Sequence, residues 1–199
     1  MRPRLLRSLV GLYLVFTSLP AESWAHQIEL KPVERREAKI AISDFTLVDQ
    51  NARQFKFAQL AGRVVVVVFA YTTCPDVCPL LTAALRQVQS GLTREERKKV
   101  YLLTITTDPE IDGPKVLAGY AKRYGADLTD WSFLTGDPAE LQKVWKNFGV
   151  GVQRKGRGLV DHTPLTALID RQGRMRLAYV GPAPDAKAVL KDLRALLAQ

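Results

Sequence analysis

The feature that most constrains the fold is an unbroken apolar run from Val64 to Ala70, in which five consecutive residues are valine. Such a run predicts a central β-strand covered on both faces, because a strand with one solvated face alternates apolar and polar residues. The segment Cys74 to Pro79 (CPDVCP) follows shortly after. Its prolines are tolerated only in the first turn of a helix, so the segment predicts a helix that begins there and ends at Gly91.

The order of the other predicted elements narrows the fold class. Several stretches have strand patterns, over residues 40–48, 55–57, 100–106 and 131–134 and in a hairpin of residues 165–170 and 174–180. Three more stretches have helical spacing, over residues 114–124, 138–148 and 185–197. The basic, glycine-rich residues 149–160 predict a hairpin or loop insertion. This order predicts an α/β, thioredoxin-like fold: a central mixed β-sheet flanked by helices, with an N-terminal strand extension and that insertion.

The first 25 residues have the layout of a secretory signal. Arginines lie among residues 2–7, an apolar run spans residues 9–19, and small residues precede a cleavage site after Ala25. The apolar run is short for a membrane-spanning helix, which needs about 20 residues. The sequence predicts a signal peptide over residues 1–25, a polar tether over residues 26–39 and one domain over residues 40–199. The protein is expected in a Gram-negative-type periplasm, tethered to the inner membrane if the leader is not cleaved.

Composition excludes several classes of function. Hydrophobic residues make up 47% and charged residues 25% of the chain, which is typical of a soluble globular domain. The formal net charge is +9, but the basic residues are spread along the chain without a nucleic-acid-binding motif. We therefore expect no nucleic-acid partner. The basic residues form a solvated surface or dock to an acidic protein. Since nothing in the sequence demands a multimer, we expect a monomer.

The only two cysteines, Cys74 and Cys78, are the strongest chemical signal. A disulfide between them would close a very small loop and stabilise folding little, so a purely structural role is a poor explanation. Four-residue spacing on a helix brings both sulfurs to one face, and the helix N-terminus favours thiolates. Such a pair binds a soft ion such as Cu(I) or cycles between dithiol and disulfide, and the sequence leaves both open.

A third donor is predicted at His162, in the loop before the predicted hairpin. In a thioredoxin-like fold that loop faces the cysteine helix, so the imidazole completes a three-coordinate copper site with Cys74 and Cys78. The alternative is a surface histidine bonded to the backbone. Zinc is less suited, because it prefers four protein ligands and Asp161, the one candidate, points to the other side of a strand.

Two further groups of residues remain open. His26 would become the first residue after cleavage and could chelate copper, or it is an ordinary terminal residue. The acidic segment from Asp108 to Asp112 follows a buried strand. It shapes the site, docks a partner, or forms only a turn and a helix cap.

Residues 69–79 (FAYTTCPDVCP) resemble the signature of the Sco/SenC family of copper-binding, thioredoxin-fold proteins that assist cytochrome c oxidase assembly. Residues 44–47 (DFTL), 106–112 (TTDPEID), 161–163 (DHT) and 168–170 (LID) with Gly173 extend the resemblance over about residues 40–198. The resemblance implies that Cys74, Cys78 and His162 are the ligands of Cu(I) or Cu(II). It also implies that the protein delivers copper to, or reduces the cysteines of, the binuclear copper site in cytochrome c oxidase subunit II or a related oxidase. Another periplasmic copper chaperone or a thioredoxin-like reductant is a further expected partner.

The sequence departs from the family pattern in three places. Thr163 replaces the usual Ser, Pro164 follows it, and Ala167 occupies a position where an aromatic residue is common. A proline at this place resembles the cis-proline that faces the cysteines in thioredoxins, and we hypothesise that Pro164 alters the His162 loop and favours thiol exchange. The alternative function is therefore a periplasmic thiol-disulfide oxidoreductase that works through Cys74 and Cys78 without a physiological metal. Whether the protein is an enzyme stays open, since the chaperone role needs no turnover chemistry.

Overall fold

A mixed β-sheet of eight strands forms the centre of the molecule, in a computed structural model that describes residues 32–155 and 158–199. Its strands are β1 (Glu34–Ala41), β2 (Thr46–Asp49), β3 (Gln54–Lys56), β4 (Val64–Ala70), β5 (Val100–Thr106), β6 (Trp131–Thr135), β9 (Leu165–Ile169) and β10 (Arg174–Val180). Their order across the sheet is β1-β10-β9-β4-β5-β6-β2-β3. Two short strands, β7 (Val152–Arg154) and β8 (Val160–His162), form a separate two-stranded sheet.

Strand β4 lies in the middle of the large sheet, as the valine run predicts. All seven of its residues are buried. It pairs in parallel with β5 on one side and antiparallel with β9 on the other, so the sheet is mixed. A strand with both edges paired and both faces covered has no contact with water, which explains why its sequence contains no polar residue.

Helices cover both faces of the sheet. They are α1 (Val77–Gly91), the four-residue α2 (Arg94–Arg97), α3 (Pro114–Arg123), α4 (Pro138–Asn147) and α5 (Ala186–Leu197). Leu85 of α1, Leu117 of α3 and Leu193 of α5 share one apolar cluster with one face of the sheet. Leu141 and Val144 of α4 belong to the cluster on the other face. The thioredoxin-like arrangement predicted from the order of elements is therefore confirmed.

The N-terminal segment differs from the prediction. Residues 34–39, assigned to a tether, belong to β1, which pairs antiparallel with β10 from Glu34 opposite Val180 to Ala41 opposite Arg174. The predicted strand over residues 40–48 is interrupted at residues 42–45, and Phe57 lies in a 3₁₀ turn after β3. Nearly every residue of β1 is exposed. An edge strand that is solvated on both faces has no apolar alternation, so its sequence does not distinguish it from a tether.

Both chain ends of this domain can be placed relative to the sheet. The amide of Gly181, just after β10, donates to the carbonyl of Pro164 at 2.9 Å, and Gly181 also packs closely against Val33. At the other end of the sheet, the Arg171 guanidinium donates to the carbonyl of Leu197, in the last turn of α5. Residues 1–25 lie outside the described residues, so the signal peptide stays a prediction. No helix within residues 32–155 and 158–199 is long and apolar enough to cross a membrane.

Candidate metal centre

The two cysteines lie where β4 gives way to α1. The helix begins at Val77, so Cys78 is in its first turn and Cys74 is in the preceding loop. The prediction that both cysteines share a helix face is therefore wrong, because Asp76 has φ −126° and ψ −94°, which is not a helical conformation. The loop still folds back, and the Cys78 amide donates to the Cys74 sulfur at 3.5 Å.

His162 approaches this dithiol from the end of β8. Its Nε2 atom lies 3.8 Å from the Sγ atom of Cys78, and its Nδ1 atom lies 3.2 Å from the carbonyl oxygen of Thr163. Because a carbonyl only accepts hydrogen bonds, this contact assigns the ring proton to Nδ1. The lone pair of Nε2 therefore faces Cys78, which is the arrangement that a metal-binding imidazole requires.

The pKa values of the two thiols are shifted in opposite directions. A hydrogen bond from the Cys78 thiol, with smaller contributions from the amides of Asp76 and Cys78 and the phenol of Tyr71, lowers the pKa of Cys74 to about 5 against the opposing effect of burial. The same hydrogen bond, together with burial, raises the pKa of Cys78 well above its usual value. At neutral pH the half-buried Cys74 is therefore a thiolate, and the buried Cys78 is a thiol that donates to it.

The imidazole is kept neutral. Burial lowers the pKa of His162, while the Thr163 carbonyl and the nearby Cys74 oppose that change. A neutral imidazole is the form that coordinates metals, so His162 needs no proton loss to act as a ligand at neutral pH.

A buried carboxylate organises the loop before Cys74. Asp112 is fully buried and accepts hydrogen bonds from the Thr72 amide at 3.1 Å, the Thr72 hydroxyl at 2.5 Å and the Thr106 hydroxyl at 2.6 Å. Burial raises the pKa of Asp112 in spite of these donors. Of the alternatives left open for the acidic segment, these contacts favour shaping the site. The N-cap of α3 is Gly113, so Asp112 does not have the predicted helix-cap role.

Two residues that sequence reasoning did not identify lie next to the site or bind a segment beside it. The Tyr71 hydroxyl accepts a hydrogen bond from the Val160 amide at 3.3 Å, and its ring meets the His162 ring edge-on at 6.0 Å between centroids. Arg154 forms ion pairs with Asp108 and Glu110. The available signals were a polar aromatic residue at the end of a buried strand and a basic residue inside the predicted insertion.

Three more residues that the sequence analysis discussed are Pro164, Asp161 and His26. Every peptide bond within residues 32–155 and 158–199 is trans, including the bond to Pro164, so the hypothesis of a cis-proline is wrong. Asp161 is exposed and, like His162, lines the cavity beside Cys74. His26 lies outside the described residues.

Two of the three predicted donors, Cys74 and His162, line an open cavity of about 390 Å³ together with Tyr71 and Val160 among others, and the buried Cys78 belongs to the small cluster that Cys74 packs against. As they stand, no three His, Cys, Asp or Glu side chains in the described part of the chain converge tightly enough to hold a metal ion. The chemistry of the donor set nevertheless fits copper, since two sulfurs and one imidazole nitrogen are the soft and borderline ligands that copper prefers.

This fold and site define a thioredoxin-like protein with an asymmetric dithiol and a neighbouring histidine. The SCO1/SenC family model matches residues 33–198, and the chain therefore belongs to the SCO1/SenC family. The resemblance found in the sequence is thus confirmed at the level of the family.

Relatives and solved structures agree with this assignment. An SCO2-like protein of Rickettsia prowazekii is 30% identical over 180 residues, which cover 85% of this chain and 82% of that protein. The copper-bound structure of Bradyrhizobium japonicum ScoI is 30% identical with a TM-score of 0.68, covering 79% of this chain and 99% of that one. A Sco protein known as BsSco, described as a member of a family of cytochrome c oxidase assembly proteins, is 26% identical with a TM-score of 0.70, covering 81% and 95%.

Proposed function

We propose that this protein binds copper through Cys74, Cys78 and His162, and that it acts as a copper chaperone and thiol reductant in the assembly of the binuclear copper site of cytochrome c oxidase. The observation that carries the proposal is the approach of the His162 Nε2 lone pair to within 3.8 Å of the Cys78 sulfur, beside the Cys74 thiolate. The copper bound to Bradyrhizobium ScoI and the oxidase-assembly role ascribed to the BsSco family support it.

Each of the three residues has a distinct task in holding copper. Cys74 is already a thiolate at neutral pH and is half exposed, so it is the first ligand that an incoming ion meets. Cys78 releases its proton when it becomes a ligand, since the thiolate is the form that binds metal. His162 then closes the site from the hairpin. Copper here is cargo, and the open cavity leaves room for a partner's ligands to replace these three.

The same dithiol supports reduction of a partner's disulfide. The Cys74 thiolate attacks one sulfur of that disulfide, which forms a mixed disulfide and releases the other partner sulfur as a thiolate. Cys78 then gives its proton to that thiolate and attacks the Cys74 sulfur. This attack releases the second partner sulfur as a thiolate, which takes a proton from water, so the partner is left as a dithiol. Cys74 and Cys78 remain as a disulfide that a thioredoxin-like reductant must reduce.

A thiol-disulfide oxidoreductase without a physiological metal is the second candidate. The observation that favours it is the difference between the two thiols, since an accessible cysteine with a pKa of about 5 next to a buried thiol of raised pKa is the arrangement of an attacking and a resolving cysteine. This candidate requires both cysteines and does not require His162.

We propose a periplasmic location and a monomeric state for either function. The periplasmic location rests on the predicted signal peptide, and cell fractionation of the tagged protein tests it. Gel filtration with light scattering at several concentrations tests the monomer.

Copper titration of the reduced protein distinguishes the two functions. We would measure stoichiometry and Cu(I) affinity by chelator competition, and the sulfur-to-copper charge-transfer bands with Cu(II), for the parent protein and for His162→Ala. Gln153→Ala is the matched control, since Gln153 is exposed on the same hairpin and does not line the cavity beside Cys74. One copper per chain, with binding weakened by His162→Ala alone, is the expected result. Equal, weak binding in all three proteins would overturn the copper site and favour the oxidoreductase.

A further inference from the structure

Within residues 32–155 and 158–199, the hairpin that carries His162 forms no backbone ladder with the central sheet. In this part of the chain strands β7 and β8 pair only with each other, with Val152 opposite His162 and Arg154 opposite Val160. The distance between His162 and the thiols therefore depends on side-chain contacts that fix this hairpin to the rest of the domain.

Strand β8 has one set of such contacts. Val160 is buried in a small cluster with Ala70, Tyr71 and Cys78, and its amide donates to the Tyr71 hydroxyl. This cluster orients the beginning of β8 two residues before His162. The partly buried Val152 of β7 packs against this cluster and against the main core cluster, so both strands of the hairpin have an apolar contact at the end nearest His162.

Besides Val152, strand β7 has one polar attachment, which is made by a single cation. The guanidinium of Arg154 bonds to one carboxylate oxygen of Asp108 and lies 3.0 Å from a carboxylate oxygen of Glu110. The Asp108 side chain is 0% exposed, and its second carboxylate oxygen has no hydrogen-bond partner among the described residues. Arg154 thus supplies the only side-chain cation that the described structure shows on this buried carboxylate.

We propose that Arg154 is a positioning residue for His162: by bridging Asp108 and Glu110 it fixes the β7–β8 hairpin against the loop after β5 and holds the imidazole beside the thiols. The attachment itself follows from contacts on this chain alone. Its consequence for copper rests on the function proposed above.

The chemistry of the pair explains why an arginine suits this place. A guanidinium has a planar fork of donors, so one side chain can serve two carboxylates at once, whereas a lysine ammonium is a compact point charge. An ion pair between two exposed residues contributes little, but Asp108 is fully buried and would be left without its cation. The pair is therefore a specific attachment and differs from the exposed ion pairs elsewhere on the surface.

Arg154→Gln tests the proposal against Lys155→Gln. Both substitutions remove one positive charge from the same hairpin, but within the described residues the Lys155 side chain bonds only to Gln153, two residues away. Because Lys155 also lines the cavity beside Cys74, it is a control for the exchange measurement and not for copper binding. Because Arg154→Gln alone leaves a buried carboxylate without its cation, the double variant Arg154→Gln with Asp108→Asn removes the bridge and the charge together. Arg154→Lys is the conservative variant and should restore part of the attachment.

The first readout needs no copper. Amide hydrogen exchange of residues 160–162 should become about tenfold faster in Arg154→Gln and in the double variant, as expected for the loss of one charge-assisted hydrogen bond, and should not change in Lys155→Gln. Exchange at the same rate in the parent protein, Arg154→Gln, the double variant and Lys155→Gln would overturn the attachment.

The second readout is copper binding. Copper affinity should fall about tenfold in Arg154→Gln and in the double variant, the lower limit for residues that orient a metal ligand, with charge-transfer bands shifted toward those of His162→Ala. Fast exchange with unchanged copper affinity would overturn the positioning role. If His162→Ala has the same copper affinity as the parent protein, the proposed copper function fails. The hydrogen-exchange rates still decide whether Arg154 attaches the hairpin.

Discussion

The thiol half and the imidazole half of the candidate metal centre are built into the molecule in different ways. Cys74 and Cys78 follow β4, which is paired on both sides and buried along its whole length, and the loop before Cys74 is bonded to the buried Asp112. His162 lies on a hairpin of two three-residue strands outside that sheet. The dithiol is therefore a fixed part of the core, and the imidazole is held by a few replaceable contacts.

This difference separates two kinds of chemistry. Thiol exchange needs only the fixed half, whereas copper binding needs both halves. Substitutions in the hairpin should therefore change copper affinity and leave the dithiol intact, and substitutions in the core should affect both.

Loss of the buried thiol should have the largest effect. Cys78→Ala removes a copper ligand and the resolving cysteine together. We expect copper affinity to fall by more than about a hundredfold, beyond the range typical of residues that only support a ligand. Chelator competition and a disulfide-reduction assay measure the two losses. A folded Cys78→Ala protein that keeps copper affinity within tenfold of the parent would break the distinction between the halves.

Matched leucine substitutions compare the stability of the two regions. Leu81 of α1 is 1% exposed, one turn after Cys78, and Leu159 beside β8 is 44% exposed. Leu81→Ala should lower the free energy of unfolding by about 2–5 kcal/mol, because it removes core contacts and leaves a cavity. Leu159→Ala should change it by less than about 0.5 kcal/mol. Urea denaturation measures both, and equal losses would show that the hairpin is as tightly packed as the core.

Removing the Tyr71 hydroxyl tests the hydrogen bond between the end of β4 and the hairpin that carries His162. Tyr71→Phe keeps the ring against His162 and deletes the acceptor of the Val160 amide. We expect a loss of about 1 kcal/mol in the free energy of unfolding, the usual contribution of one hydrogen bond. Denaturant unfolding measures the loss, and Tyr124→Phe, at a tyrosine that packs against the apolar cluster shared by α1, α3 and α5, is a control.

The smallest effect is expected for His162→Ala on the pKa of Cys74. Iodoacetamide reacts with the thiolate, so the alkylation rate of the reduced protein should rise with pH, pass its midpoint near the pKa of about 5 and then level off. Since the largest cause of that low pKa is the Cys78 thiol, His162→Ala should leave the midpoint near 5. A midpoint that moves toward 8 or above in His162→Ala would show that the two halves are coupled.

Much of the fold can be predicted from the sequence, because buried elements have strong patterns. The valine run, the helical spacing of α1 and the later strands have nearly the bounds predicted for them. Strand β1 could not be predicted, since its charged, exposed residues are in a strand only because the backbone of β10 pairs with them. That contact is tertiary and leaves no local signal.

The candidate site, too, can be predicted where local sequence patterns determine it and not where tertiary contacts do. Sequence reasoning places Cys74, Cys78 and His162 together, because the end of a central strand and the loop before the next hairpin meet at one edge of the sheet. It misplaces Cys74 on the helix, since the backbone at Asp76 departs from helical geometry. It does not identify Arg154 as a contact of Asp108, because those residues are 46 positions apart and meet only in the folded chain.

The pairing of β1 with β10 has a practical consequence for handling the protein. Glu34 lies opposite Val180, and the neighbouring Gly181 bonds to Pro164, so the chain enters the described domain at the sheet end that carries the dithiol. The end of α5 lies at the opposite end, beside Arg171. A polyhistidine tag placed directly before the domain, after the predicted cleavage site, would therefore join it at the end that carries the thiols and compete for copper, so affinity measurements should use a tag fused after Gln199.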